Sequence, residues 1–195
     1  MKNKINISLV ALAIALIVVS CDREPNYLPK PRGYFRIDLP EKDYTQVDTI
    51  ERYSFECPQY AQVTPDPYSP NEKNWVNIEL PQFKGSIHLT HKPVNDNLGD
   101  YLEDVHTMVT KHLQKASGVR DSLIVNEEHQ VYGMFIEMDG KGVATPMQFY
   151  LTDSTHNFVR GALYFNFQPN NDSMQPVINF IREDINHLIN TFEWK

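Results

Sequence analysis

The chain has 195 residues, of which 41% are hydrophobic and 22% are charged. This length and composition suffice for one domain with a hydrophobic core and argue against a chain that is disordered throughout. The formal net charge of -7 argues against a general nucleic-acid-binding protein, because phosphate binding requires a basic surface. The chain has only two cysteines, Cys21 and Cys57, which excludes a disulfide-rich scaffold and a cysteine-rich zinc or iron–sulfur site.

The first 20 residues have the pattern of a bacterial signal peptide. Lys2 and Lys4 form a short positive region, and residues 5–19 form a nearly uninterrupted apolar run. A run of about fifteen residues is shorter than the ~20 that a transmembrane helix needs, and it is typical of a signal-peptide core. Residues 18–21, Val-Val-Ser-Cys, resemble the bacterial lipobox, in which lipid is attached to the cysteine. We therefore predict cleavage before Cys21 and its lipidation. The alternative is an N-terminal transmembrane anchor.

Residues 21–32 are predicted to form a tether between the lipid and the folded domain. The segment contains three prolines, which favour an extended chain with a rise of about 3.1 Å per residue. Lys30, Arg32 and Arg36 form a small basic cluster. Two interpretations of this cluster remain open: it contacts anionic lipid headgroups or an acidic partner, or it is solvated without a partner.

Residues 33–195 are predicted to form a single α+β domain, and its first half reads as strands. Apolar and polar residues alternate in four segments, and prolines follow the first two of them. A loop rich in turn residues over 64–71 separates the second strand from the third and is expected to be exposed. The third strand is expected to be half buried. The four predicted strands are 34–39, 50–57, 75–80 and 85–93.

The second half of the domain adds two helices and further strands. A helix is predicted over 97–116, because apolar residues recur there every three or four positions and form one face. A closing helix is predicted to begin near Asp172 or Ser173, with Pro176 in its first turn. Consecutive hairpins with helices between and after them indicate an α+β fold with an antiparallel sheet and two main helices. The predicted strands of this half are 122–125, 130–138, 144–152 and 158–167.

Neither a catalytic nor a metal-binding motif is found in the sequence. It has no glycine-rich phosphate loop, no serine-hydrolase elbow and no His-Glu-x-x-His pair. His88 and His91 lie three positions apart on a predicted strand, so their rings should point to opposite faces and not share a metal ion. His187 is expected to form a surface ion pair with Asp184. Residues 168–173 are expected to cap the closing helix through Asp172 or Ser173 rather than to bind a cation.

Two other reactive residue types are assigned structural roles. Cys57 has no base beside it in the sequence Ser-Phe-Glu-Cys-Pro, so it is predicted to be a small packing residue. Glu183 and Asp184 are adjacent in a predicted helix and should point apart, whereas paired-carboxylate catalysis needs two groups that face each other. A catalytic pair formed by carboxylates from distant segments of the chain is the alternative that remains.

Four stretches of the sequence resemble the gliding motility lipoprotein GldD family. They are 29–40 (PKPRGYFRIDLP), 53–58 (YSFECP), 161–167 (GALYFNF) and 176–195, which ends in DINHLINTFEWK. The resemblance implies a role in the gliding machinery of Bacteroidetes and in the coupled type IX secretion system, with no enzymatic activity to transfer. The order of the elements is also similar to the Mog1/PsbP-like α+β sandwich, as judged from the strand at 54–58 and the terminal helix.

Taken together, these features predict a non-enzymatic lipoprotein that acts through protein contacts. Its partners would be a membrane, through the lipid on Cys21, and other envelope proteins of the gliding and secretion machinery, with no cofactor, metal or nucleic acid. The anchor would lie in the inner or the outer membrane, with the domain facing the periplasm; exposure at the cell surface is the alternative. One alternative is a module that binds a small ligand or glycan through exposed aromatic residues such as Tyr60, Tyr68 and Trp75. An envelope hydrolase is the third hypothesis.

Overall fold

The structure, a computed structural model, describes residues 33–34 and 36–195. Residues 36–195 form one compact unit. The predicted signal peptide, the lipidation site Cys21 and the predicted tether lie outside the described residues, so their boundaries at residues 20 and 32 remain predictions. Within the described residues, no helix combines the length and the apolar character that a membrane crossing requires.

A seven-stranded antiparallel sheet forms the centre of the fold. Its strands are β3 (Gln62–Pro65), β4 (Val76–Leu80), β5 (Gly85–Pro93), β6 (Gly118–Asn126), β7 (Val131–Asp139), β8 (Met147–Thr152) and β9 (Asn157–Phe165). Their spatial order is β3-β4-β5-β9-β8-β7-β6, and every neighbouring pair is antiparallel. The two edges of this sheet are therefore β3 and β6.

A small antiparallel sheet and two helices complete the fold. The small sheet has the order β1-β2-β10, and a short 3-10 turn connects β4 to β5. The bounds are β1 (Tyr44–Val47), β2 (Tyr53–Pro58), β10 (Glu193–Trp194), α1 (Leu98–Leu113), α2 (Asn171–Asn190) and the 3-10 turn Pro81–Phe83. This arrangement confirms the predicted α+β class with antiparallel sheets and two main helices.

The larger hydrophobic core joins one face of the seven-stranded sheet to α2 and the small sheet. Apolar residues of α2 recur every three or four positions, so one stripe of the helix is buried. Complete burial of a leucine or phenylalanine side chain contributes about 1.5–3 kcal/mol, so this core is the main source of stability. Its members include Phe55 of β2, Phe149 of β8, Leu163 of β9, and Val177, Ile181, Ile185 and Leu188 of α2.

A smaller core lies on the opposite face of the sheet, beneath α1. Phe135 of β7 belongs to the larger core and its neighbour Ile136 to the smaller one, as expected because successive residues of a strand point to opposite faces. Within α1, Val105 is the buried residue, and Leu113 is 43% exposed. The sequence predicted a continuous apolar stripe on this helix. The stripe does face this core, since Leu98, Leu102 and Val109 pack against it half-buried, but only Val105 is fully buried, so α1 covers its face of the sheet incompletely.

Several predicted boundaries were wrong. No strand forms in the described part of 34–39, and β1 begins only at Tyr44. β1, β3 and β10 were not identified as separate strands, because two to four residues are too few for a recognisable alternation. The strand β4 is more buried than expected, since Asn77 is 4% exposed. α2 begins at Asn171, which places Pro176 inside the helix rather than in its first turn. The bounds predicted for β5 were confirmed.

Candidate functional site

A dense group of polar side chains surrounds Asp184, a residue of α2 that is 3% exposed. Its carboxylate accepts hydrogen bonds from the hydroxyl groups of Tyr44, at 2.8 Å, and Tyr60. The ammonium group of Lys42 lies 2.8 Å from the same carboxylate and donates a hydrogen bond to the carbonyl oxygen of Phe180 at 2.7 Å. The buried carboxylate is thus paired and hydrogen-bonded, which offsets the cost of removing it from water.

Groups around Asp184 have altered acidity. Burial, and then the hydrogen bond to the carboxylate, raise the pKa of Tyr44 and of Tyr60 well above the usual value of a phenol. Burial, and then the negative charge of Asp184, raise the pKa of Cys57 to about 12. Cys57 is 2% exposed and belongs to the larger core, so near neutral pH it is a protonated thiol in a packing position.

The ion pair predicted between His187 and Asp184 was wrong. His187 Nε2 lies 2.5 Å from Glu56 Oε2 on β2, and the imidazole ring stacks on Tyr44 with 3.7 Å between ring centroids. A spacing of three residues on a helix permits a contact but does not impose it. The small sheet supplies partners that are better placed. Glu56 pairs with His187, and Tyr44 contacts both His187 and Asp184.

The Asp184 group connects three separate parts of the chain. Lys42 precedes β1, Tyr60 follows β2, and Asp184 lies on α2. Glu183, adjacent in sequence, was predicted to point away from Asp184, but both carboxylates contact the same lysine. Lys42 Nζ lies 3.2 Å from Glu183 Oε2 and 2.8 Å from Asp184 Oδ1, and the Glu183 side chain is 68% exposed. Both oxygens of Asp184 are engaged by donors from within the fold. We interpret the group as a structural contact that holds the small sheet against α2 rather than as a reactive centre.

The two histidines of β5 do not share a site. His88 Nδ1 lies 2.7 Å from Asn77 Oδ1, whereas His91 Nε2 lies 3.0 Å from Asn157 Oδ1. The opposite orientation that the strand spacing predicts is therefore present. Burial lowers the pKa of His91, which favours the neutral ring at pH 7. Across residues 33–34 and 36–195, no three potential metal-binding side chains of His, Cys, Asp or Glu come together.

The loop before α2 does not cap the helix through the residues that were predicted. The N-cap position is Asn170, and neither Asp172 nor Ser173 occupies it. The side-chain amide of Asn171 donates hydrogen bonds to the carbonyl oxygens of Gly140 and Val143, at 3.0 and 2.9 Å. These bonds fasten the start of α2 to the connection between β7 and β8. The tertiary contact takes the place of the local cap that the sequence suggested.

The aromatic residues proposed for a ligand site are only partly available. The hydroxyl group of Tyr60 is bonded to Asp184. The indole N–H of Trp75 donates to the carbonyl oxygen of His91 at 2.6 Å. Tyr68 is 90% exposed, in the loop between β3 and β4. Two of the three aromatic residues thus have structural hydrogen bonds within the domain.

A groove of about 640 Å³ lies between β6 and α2. Glu137 of β7 lies in its floor, 2.5 Å from Arg182 of α2 and 3.6 Å from Arg120 of β6. Glu127 and Glu128 line it at the end of β6, and neither has an ion-pair partner among the described residues. This charged lining differs from the mostly apolar lining of small-ligand pockets and suits a macromolecular contact.

The strand β6 also exposes apolar side chains on the α1 side of the sheet. Leu123 is 79% exposed, Val125 is 64% exposed and Val119 is 43% exposed. They are separated by even numbers of residues, so they lie in one row on the α1 side of the sheet, with Asp121 between Val119 and Leu123; we call these three residues the apolar row. Exposed apolar side chains that are contiguous mark contact surfaces for proteins or membranes. The sequence did not identify the row, because alternation alone does not reveal that a strand lies at a sheet edge.

Comparison with known proteins gives one family and a distant structural likeness. A family model described as gliding motility lipoprotein GldD matches residues 24–194. Among solved structures, the chain is similar to the solution structure of cyanobacterial PsbP (CyanoP) from Synechocystis sp. PCC 6803. The TM-score is 0.43 and the identity 12%, and the likeness covers 83% of this chain and 98% of that chain. The search of curated proteins gave no match.

Proposed function

Because the chain belongs to the gliding motility lipoprotein GldD family, we propose that it is a lipid-anchored, non-enzymatic component of the gliding machinery and of the associated type IX secretion system. The observation that carries this proposal is the family match over residues 24–194, nearly the whole chain that follows the lipobox cysteine. The resemblance of residues 18–21 to a lipobox supports the anchor independently, since it lies outside the matched range.

In this proposal, residues 1–20 are removed and lipid on Cys21 holds the protein on the inner or the outer membrane. Residues 21–32 act as the tether, and residues 33–195 form the domain that faces the periplasm. Each buried methylene of an acyl chain contributes ~0.8 kcal/mol, and two or more chains give a stable attachment. The domain then contributes a surface for other envelope proteins.

The non-enzymatic assignment is supported by the way in which the polar cluster of the domain is used. Asp184, the buried carboxylate, is surrounded by donors that belong to the fold, and Cys57 has a raised pKa that disfavours the nucleophilic thiolate. Neither residue lines the groove beside β6 or the cleft that lies beneath α1.

A role as a small-ligand or glycan module has weaker support. A cleft lined by Trp75, Tyr101 and Phe158 lies beneath α1, but its volume is about 180 Å³. Pockets that bind small ligands usually have about 300–1,000 Å³ and a mostly apolar lining. The groove beside β6 has a volume in this range, but its lining is charged. A protein contact surface agrees better with the exposed apolar row and the open groove beside β6.

The anchor is tested by Cys21→Ala in cells that are labelled with palmitate. We expect the wild-type chain to incorporate label and to sediment with membranes, and the variant to lose both properties. Cys57→Ala is the matched control. It should be labelled normally, because Cys57 is buried and Cys21 remains available for lipid. Labelling and membrane sedimentation of Cys21→Ala at wild-type levels would reject the anchor.

The role in the machinery is tested by gene deletion and complementation. Deletion should abolish colony spreading and the secretion of type IX cargo, and the wild-type gene should restore both. If spreading stops while cargo secretion is unchanged, the secretion role is wrong. Normal spreading in the deletion strain would overturn the gliding role of this chain.

A further inference from the structure

The two edges of the seven-stranded sheet differ in how they are protected. β3 has four residues and ends in Pro65, which limits pairing with a further strand. β6 has nine residues, contains no proline and pairs with β7 in unbroken register from Gly118 to Asn126. Long, regular edges of this kind present unpaired backbone N–H and C=O groups to any incoming strand.

Side chains on the two faces of β6 leave this edge accessible. The apolar row of Val119, Leu123 and Val125 is exposed on the α1 side. On the other side, the groove between β6 and α2 remains open along Ser122 and Ile124. A further strand placed beside β6 would cover part of the apolar row and complete the hydrogen-bonding of the edge.

Charge around β6 differs between its two ends. Lys111 lies in the last turn of α1 and Lys115 in the turn between α1 and β6, whereas Glu127 and Glu128 lie just after the strand. None of these four groups has an ion pair within the part of the chain that the structure describes. A second β6 in antiparallel orientation would bring each basic end beside the acidic end of the other copy. This charge complementarity identifies a second copy of the chain as the occupant.

We propose that two copies of the chain associate through antiparallel pairing of β6, about a twofold axis at Ser122. In this register Val119 of each copy faces Val125 of the other, and two apolar pairs form at the ends of the row. Glu128 of one copy then lies opposite residue 116 of the other, next to Lys115. The two seven-stranded sheets become one continuous sheet.

The strength of this association follows from its size and from one opposing feature. A single pair of nine-residue strands is a small contact compared with the ~1,200–2,000 Å² of stable interfaces, so the dimer is weak in solution. Asp121 lies in the same row and faces Leu123 of the other copy, which limits the affinity further. Confinement to a membrane, which rests on the proposed lipid anchor, would raise the effective concentration and favour the dimer.

The first test uses Ser122→Cys in the full-length chain, oxidised in native envelopes and analysed without reducing agent. A residue on the twofold axis faces its own copy, so a disulfide-linked dimer that joins the two 122 positions is expected. Gln62→Cys, an exposed position on the β3 edge, is the matched control and should give no dimer. Cys57 adds little background because its thiol is buried. No dimer above the control, or a link to a different protein, would overturn the pairing.

The second test measures the mass of the purified full-length chain in detergent by light scattering over a range of concentrations. Leu123→Lys should lower the dimer fraction several-fold, and Asp121→Thr should raise it several-fold. Tyr68→Lys, which places the same charge on a distant exposed aromatic position, should leave it unchanged. A monomer at every concentration for both the wild type and Asp121→Thr would contradict the proposal. This measurement does not depend on the family role.

Discussion

The two faces of the seven-stranded sheet are covered to very different extents. On one face, eight residues of α2 are buried, and the small sheet adds Tyr53 and Phe55 to the same core. On the other face, α1 buries Val105 alone. Five of the exposed large apolar residues belong to α1 or to the α1 side of β6: Met108, Leu113, Val119, Leu123 and Val125.

Because of this difference, the two faces have different roles: the α2 face stabilises the domain, and the α1 face is available for contacts. The α2 face holds the larger core and the Asp184 group, in which the buried charge has several partners. The α1 face leaves apolar side chains in solvent, where they contribute little to folding but are available to a partner. Substitutions on the first face should therefore change the free energy of unfolding, and substitutions on the second should change association.

The largest expected effect is that of Asp184→Ala on the α2 face. Removal of the carboxylate leaves the hydroxyl groups of Tyr44 and Tyr60 without their acceptor, and Lys42 loses its shorter ion pair. Loss of one partner from a buried ion pair costs about 3–5 kcal/mol, which urea denaturation measures. Glu183→Ala is the matched control: it removes the exposed ion pair of Glu183 with the same lysine, so its effect should stay within about 1 kcal/mol. Equal effects of the two substitutions on the free energy of unfolding would contradict the structural role assigned to Asp184.

Substitution of one leucine on each face compares the contributions of the two faces to stability. Leu163→Ala on the α2 face should lower the free energy of unfolding by about 2–5 kcal/mol, because the side chain is fully buried. Leu123→Ala in the apolar row should change it by at most about 0.5 kcal/mol, because the side chain is 79% exposed. Thermal or urea unfolding measures both. A large loss of stability for Leu123→Ala would mean that the apolar row belongs to the core.

A smaller effect is expected from pH. Burial lowers the pKa of His91 on the α2 face, so the folded state binds a proton less readily than the unfolded state does. The resulting stability is present above the unfolded pKa of about 6.5 and is lost as the pH falls toward the folded pKa. We therefore expect the free energy of unfolding to decrease from pH 7 to pH 5. The decrease should be smaller in His91→Gln, and an identical pH profile would contradict the assignment.

The sequence predicted the fold class and the positions of most long elements, because alternation and helical spacing extend over many residues in β5 and α2. The same periodicity made α1 look as deeply buried as α2. Burial depends on what lies opposite a helix, and the large second layer beside α2 has no counterpart beside α1. Short strands such as β1 and β10 are stabilised by pairing with β2, a distant contact that no local pattern records.

The candidate sites were harder to predict than the fold. Asp184, Lys42, Tyr44 and Tyr60 are far apart in the sequence, and only the packing of the small sheet on α2 brings them together. The exposure of Leu123 follows from the strand order, which places β6 at an edge. By contrast, the lipobox at residues 18–21 is a local signal, so it can be identified from the sequence alone.

The most direct test of this account is colony spreading by a deletion strain that expresses Leu123→Lys. The variant should have the thermal stability and the membrane fractionation of the wild type, because residue 123 lies outside the core. If the apolar row of this gliding motility lipoprotein is its working surface, spreading should be strongly reduced, while Tyr68→Lys should spread normally. Wild-type spreading by Leu123→Lys would contradict the account.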